Sequence, residues 1–197
     1  MVMDIYSRKI VGWQVHDCES SSHAADLIED IAQREKIDKN QLVNHSDNGS
    51  PMKGATLRPK MIDLEISPSY SRPRVSNDNP YSESLFKTIK YHYTFPETPF
   101  ICLKEARTWV KTFVDWYNDE HQHSAIRFVT PNQRHNGLDK AILNKRKKVI
   151  EQAKKEHPER WNGRKTRNLS PIGAVYLNPD KGEAEAPENK LPLKNTA

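Results

Sequence analysis

His45-Ser46-Asp47-Asn48-Gly49-Ser50 and Asn77-Asp78-Asn79-Pro80-Tyr81-Ser82-Glu83-Ser84-Leu85-Phe86-Lys87-Thr88-Ile89-Lys90 are the stretches on which the reading of this chain turns. Each holds an acid in a polar setting, and thirty-five residues, 48 to 82, separate Asp47 from Glu83. Asp47 follows Gln41-Leu42-Val43-Asn44-His45, which reads as a short buried strand, and Asp-Asn-Gly is turn chemistry. Glu83 stands in the first turn of a helix predicted over about 81–92, where a carboxylate favours the helix dipole. Taken singly, each acid has that ordinary explanation. Taken together, an Asp at a strand end and a Glu at a helix start are able to converge on one point. Two carboxylates there repel unless a cation lies between them. Hard oxygen donors without Cys or paired His select Mg²⁺ or Mn²⁺.

Working outward, Lys87 and Lys90 follow Glu83 at i+4 and i+7 and share its helix face. They read either as a Glu83–Lys87 surface pair or as a grip on DNA phosphates. The segment before this helix, 71–82, is rich in Ser, Arg, Pro and Asn and reads as a mobile loop. Upstream, residues 1–5 and 10–16 read as strands around the turn Tyr6-Ser7-Arg8-Lys9. Ser20, Ser21 and Ser22 offer N-caps for a helix over about 22–35, with Ala24, Leu27, Ile28, Ile31 and Ala32 on one face. A short helix is expected within 52–65, although Pro59 sits badly in its interior, and Ile66 to Tyr70 is a further strand.

Downstream, 103–120 is the clearest helix, with Ala106, Trp109, Val110, Phe113, Val114 and Tyr117 on its apolar face. Residues 139–157 form a basic helix with a weak apolar stripe, and 174–177 read as an isolated strand. From about 180 onward Pro, Glu, Lys and Asn predominate, which predicts a disordered tail. His121-Gln122-His123 has no third ligand at metal-binding spacing, so packing is the favoured reading.

The composition agrees with a DNA-directed chain. Only 35% of the residues are hydrophobic and 29% are charged, so the core is expected to cover part of the 197 residues. The net charge of +5 is concentrated locally, in a run that includes Lys145, Arg146, Lys147 and Lys148. Such a run suits a polyanion. No stretch approaches the ~18 apolar residues of a membrane helix, and Met1-Val2-Met3 does not open a signal peptide. Cys18 and Cys102 are isolated and read as reduced thiols.

The two acidic motifs, their separation, and the segment Trp116-Tyr117-Asn118 with His121, His123 and Thr130-Pro131 resemble the integrase-core DDE transposases of bacterial insertion sequences. The resemblance runs from residue 1 to about 137. It implies an α/β fold of the ribonuclease-H-like type, a mixed sheet with flanking helices. It also implies DNA transposition by metal-dependent strand cleavage and transfer. Asp47 and Glu83 would be catalytic and metal-binding residues, with Mg²⁺ or Mn²⁺ as cofactor. Lys87, Lys90, Lys145, Arg146, Lys147 and Lys148 would contact DNA. Transposon ends and target DNA are the implied partners, a homo-multimer the implied assembly, and the bacterial cytoplasm or nucleoid the implied location.

In the family a first catalytic Asp precedes a segment like Met1-Val2-Met3-Asp4-Ile5-Tyr6-Ser7-Arg8-Lys9, and no residue here matches it. The chain is therefore expected to begin inside the catalytic fold, without its first strand and with an interrupted sheet. Asp4 reads as a turn-initiating residue rather than a substitute ligand. The expected layout is a truncated core over 1–137, a basic extension over 138–179 and a tail over 180–197. Two functions follow: a transposase core lacking one acid, or an inactive remnant that binds DNA non-specifically.

Overall fold

The computed structural model describes residues 1–72 and 78–177. The expected mobile loop falls partly, and the expected disordered tail almost wholly, outside the described residues.

Strand β1 (Val2–Met3) and strand β2 (Ile10–Gly12) form an antiparallel hairpin, with Val2 opposite Gly12 and Met3 opposite Ile10. Both are shorter than the sequence predicts. The turn between them is built on Asp4, whose carboxylate accepts from the Tyr6 and Ser7 N–H groups at 3.0 and 3.1 Å. Helix α1 (Ser21–Arg34) starts where Ser20 Oγ accepts from Ser22 N at 3.1 Å, and it buries Ala25, Leu27, Ile28 and Ile31.

Strand β3 (Val43–Ser46) and strand β4 (Ser67–Tyr70) pair in parallel, with His45 opposite Ser69 and Ser46 opposite Tyr70. The expected buried strand at 41–45 is corrected in place and in burial: it lies two residues later at its start, and Val43 is 42% exposed. A 3₁₀ turn (Ser50–Lys53) and helix α2 (Leu57–Asp63) make the crossover, as a parallel pair requires. Pro59 is accommodated because α2 begins at Leu57. Its missing N–H falls in the first turn, where that group has no intrahelical acceptor.

Among the described residues the strands form two separate two-stranded sheets. On β2 the backbone is not left bare. The buried Asn118 side chain accepts from Ile10 N at 2.9 Å and donates to Ile10 O at 3.0 Å, a pairing that imitates a neighbouring strand. Orphaned backbone groups there would cost about 1–3 kcal/mol each.

Helix α3 (Pro80–Lys90) has proline at its first position, where the absent N–H is harmless. Helix α4 (Leu103–Asp119) buries Ala106, Val110, Phe113, Val114, Tyr117 and Asn118 along one stripe. Ile10, Leu85 and Ile89 join the α4 residues in one core cluster, while Ala25, Ile28, Leu57, Met61 and Ile66 form a second under α1 and α2. Helix α5 (Pro131–His135) is closed by a reciprocal cap: Thr130 Oγ1 accepts from Gln133 N at 3.2 Å, and Gln133 Oε1 accepts from Thr130 N at 3.0 Å.

Helix α6 (Asp139–Glu156) buries only Asp139 and Leu143. Leu143 meets Ile126, Val129 and Leu169 in a third cluster, so the basic extension is docked onto the core. Residues 174–177 contain no strand. The residues just before them are held by a side chain. Arg134, 1% exposed, donates from Nε to Tyr6 O at 2.7 Å and from a terminal nitrogen to Ile172 O at 3.0 Å. Its guanidinium stacks on the Tyr6 ring at 4.0 Å and lies 3.8 Å from the buried Asp139 carboxylate. One arginine therefore ties together the first hairpin, the start of α6 and the segment after it.

Candidate active site

Strands β3 and β4 run parallel, so the chain leaves both at the same end of the pair. Asp47 follows the last residue of β3, and Ser71 the last residue of β4. Ser71 N donates to Ser46 O at 3.0 Å, and Asn48 Nδ2 donates to Ser71 O at 2.6 Å, so the two strand exits are bound to each other. Asp47 Oδ1 accepts from Gly49 N at 3.0 Å. A Cβ at position 49 would lie 3.0 Å from that oxygen, which favours glycine in this tight turn.

The path from β4 to α3 is clamped. Asp78, 3% exposed, accepts from Arg72 N, Nε and a terminal nitrogen at 2.7, 2.9 and 2.8 Å. These Arg72 contacts, with a smaller contribution from the neighbouring His45, hold the Asp78 carboxyl down at about 2. The fork geometry is that of a bidentate arginine–carboxylate pair. Helix α3 begins two residues later, and Glu83 is exposed in its first turn. Tyr81, in the same turn, lies under the Arg8 guanidinium at 4.1 Å, and its hydroxyl is 3.5 Å from Tyr176 O.

Asp47 and Glu83 are both exposed, and no protein cation pairs with either among the described residues. The Glu83–Lys87 ion pair expected of a plain surface helix is not formed. Lys87 and Lys90 are exposed as well, while Leu85 and Ile89 turn into the core. No group of three or more His, Cys, Asp or Glu side chains is gathered for a metal among the described residues. Two carboxylates nonetheless suit Mg²⁺, which keeps several waters and takes the remaining oxygens from phosphate.

His45 is structural: its ring nitrogens lie 3.0 Å from Ser69 Oγ and 3.4 Å from Ser71 Oγ, linking β3 to β4. His121 and His123 also pack rather than ligate. His121 lies 5.0 Å from Trp116 and 5.4 Å from Tyr117. Burial, reinforced by Arg8 and His121, brings His123 down to about 4. Cys18 and Cys102 are both free and exposed.

Asp4 is turned away from a ligand role. Ser7 Oγ donates to it at 2.5 Å, and His135 Nδ1 lies 3.4 Å away. Burial pushes its carboxyl up, but the hydrogen bonds from His135, Ser7 and Tyr6 outweigh that and lower it overall.

The basic run divides into two roles. Arg146 donates to Phe128 O at 2.7 Å and to Arg127 O at 3.4 Å, satisfying carbonyls of two residues with left-handed backbone. Lys147 lies 3.9 Å from Glu151. Lys145 and Lys148 are exposed and make no ion pair among the described residues. Arg72, Asp78, Arg134 and His135 carry no signal as a network in the sequence. The first two are six residues apart; the other two reach the first hairpin, more than a hundred residues away.

Comparison with known proteins shows a family likeness. Two models, both described as integrase core domain, match residues 1–76 and 64–131. Together the two matches cover residues 1–131, so the chain carries a segment similar to the integrase core domain, as its insertion-sequence transposase relatives suggest. It is 25% identical over 134 residues to a putative transposase for insertion sequence element IS986/IS6110 from Mycobacterium tuberculosis, covering 66% of this chain and 48% of that protein. It is 25% identical over 130 residues to the transposase for insertion sequence element IS904 from Lactococcus lactis, covering 66% of this chain and 51% of the relative. An uncharacterized protein of insertion element IS136 from Agrobacterium fabrum is 26% identical over 140 residues, 67% of this chain and 70% of that one. The chain spans about half the length of the mycobacterial and lactococcal relatives. No helix among the described residues is long and apolar enough to cross a membrane.

Proposed function

We propose that this chain supplies two of the three acids of a DDE transposase site, Asp47 and Glu83, for metal-dependent cutting and joining of DNA. The observation that carries this is the shared exit of β3 and β4. Asn48 binds Ser71 at that exit, Arg72 binds Asp78 five residues before Glu83, and neither carboxylate meets a cation among the described residues, which supports the reading. A bound divalent ion supplies Lewis-acid stabilisation of the attacking and leaving oxygens of an in-line displacement at phosphorus. Asp47 and Glu83 would hold it. Lys87 and Lys90, on the exposed face of α3, would bind the flanking phosphates, and Lys145 and Lys148 would extend that contact along α6. Arg72 and Asp78 fix the start of α3 and so the position of Glu83. Transposon ends and target DNA are the substrates of this reading, and a multimer is its working assembly.

A second reading, a DNA-binding module without catalysis, is favoured by one observation. Asp4, the acid in the hairpin turn, is consumed by Tyr6, Ser7 and His135, and no trio of ligands forms among the described residues. Mn²⁺ binding by the full chain, followed by electron paramagnetic resonance, separates the two. On the first reading Mn²⁺ binds, and either Asp47→Asn or Glu83→Gln abolishes binding. Binding that survives both substitutions sinks the assignment of these acids.

A further inference from the structure

The connection between α3 and α4 exposes aromatic rings on a backbone that is held in place. Tyr91 caps α3 and is 75% exposed; Tyr93 is 87% exposed. Between them His92 turns inward, with its ring 4.4 Å from Trp116 and 5.4 Å from Phe113 in edge-on contact. His92 Nδ1 and Thr94 Oγ1 are 2.8 Å apart, and Trp109 Nε1 donates to Thr94 O at 2.8 Å. Phe95 packs edge-on against Trp109 at 5.3 Å. The segment is therefore anchored by its even-numbered residues and Phe95, while its two tyrosines stand in solvent. Tyr93 is supported from below, its ring 4.6 Å from that of His92 at 35°.

Single exposed aromatics need no explanation. Here two rings alternate around His92, which is packed against Phe113 and Trp116, so ordering them on binding costs little conformational entropy. The charges beside them fit one kind of occupant. Lys87 and Lys90 project from the last turn of α3, exposed and without an acidic partner among the described residues. Rings that stack and lysines that neutralise phosphates are the combination that holds single-stranded nucleic acid.

We propose that Tyr91 and Tyr93 form a stacking platform for unpaired bases, with Lys87 and Lys90 holding the phosphates of the same strand. The inference rests on the DNA-processing reading above and adds to it a preference for a frayed or single-stranded segment beside α3. Base planes lie on the phenol rings, and no base edge is read, so the contact is indifferent to sequence.

The test is fluorescence anisotropy of the full chain with a labelled single strand of ~15 nucleotides, within the site sizes typical of such grooves, and with the matching duplex. Replacing both tyrosines, Tyr91→Ala with Tyr93→Ala, should weaken single-strand binding ~10- to 100-fold and leave duplex binding within about twofold. Tyr91→Phe with Tyr93→Phe keeps the rings and should keep the affinity, which separates stacking from misfolding. Lys87→Ala with Lys90→Ala should weaken both forms and flatten the salt dependence. Equal loss on single strand and duplex, or no loss on either, overturns the platform while leaving salt-sensitive duplex binding, and the DNA reading, intact. A wild-type chain that binds neither form overturns both.

Discussion

The acids of this protein divide into two regions with opposite chemistry. Around Arg134, half-buried Asp4 is hydrogen-bonded by Tyr6 and Ser7 and lies beside His135, and buried Asp139 lies 3.8 Å from the Arg134 guanidinium. At the ends of β3 and α3, Asp47 and Glu83 are exposed and meet no protein cation among the described residues. The first region satisfies its charges internally, as burial demands. The second leaves them available, which contributes nothing to folding but suits a ligand. Asp78 lies at the boundary: it is sequestered by Arg72, two residues beyond β4, and its burial positions the exposed Glu83 that follows.

The contrast is broken most severely at Arg134. Arg134→Met removes the guanidinium from Tyr6, Ile172 and Asp139 and leaves Asp139 buried without its counter-charge. Breaking such a pair costs about 3–5 kcal/mol, and the urea midpoint should fall accordingly. Adding Asp139→Leu should recover part of the loss. An unchanged midpoint for Arg134→Met would mean the clasp does not hold the extension to the core.

At Asp78 the prediction concerns pH. Its carboxyl lies at about 2 in the folded chain, below the ordinary 3.8, so the stability it contributes is complete above pH 3.8 and is lost as pH falls towards about 2. Asp4 is shifted the same way and adds to the same acid limb. Asp78→Asn should lower the thermal midpoint at pH 7 and flatten that limb, measured by circular dichroism. If wild type and variant lose stability in parallel through this window, the clamp is not charge-dependent.

The exposed acids should behave oppositely. Asp47→Asn and Glu83→Gln should change unfolding free energy by less than about 0.5 kcal/mol, while removing Mn²⁺ binding. A large destabilisation by either would move that residue into the structural group.

The smallest effects are expected in the basic extension, where they separate neighbours. Lys145→Ala and Lys148→Ala should each reduce the slope of log affinity for duplex DNA against log salt by about 0.9 with no loss of stability. Arg146→Ala should lower stability, because the Arg127 and Phe128 carbonyls lose their donor. A salt slope that responds to Arg146→Ala as it does to Lys145→Ala would erase the distinction.

These assignments also mark how far the sequence could be read. The stripe on α4, a cap among Ser20, Ser21 and Ser22, and a helix beginning near 81 are legible, since they depend on periodicity and side-chain chemistry within a few residues. The acidic pair rests on its two motifs and the family they resemble, and its role remains the proposal above. The strand before Asp47 was read as buried because Leu42 and Val43 are apolar, yet Val43 faces solvent. With β4 on one side only, burial there is decided by which strands assemble, not by composition. The basic run was read as one surface, whereas α6 turns Arg146 inward to two carbonyls and leaves Lys145 and Lys148 outside.

By itself, then, the sequence determined the helices, the turn chemistry at Asp4 and Asp47, and the family that the acidic motifs resemble. Only the tertiary structure decided that Asn118 completes the edge of β2, that Arg72 holds Asp78, and that Arg134 joins Tyr6 to Asp139 and Ile172. The physical reason is range. Helix propensity and capping act over three or four residues and are written in local order. A buried polar group must find its partner wherever the fold brings one, and that partner's distance along the chain leaves no local mark.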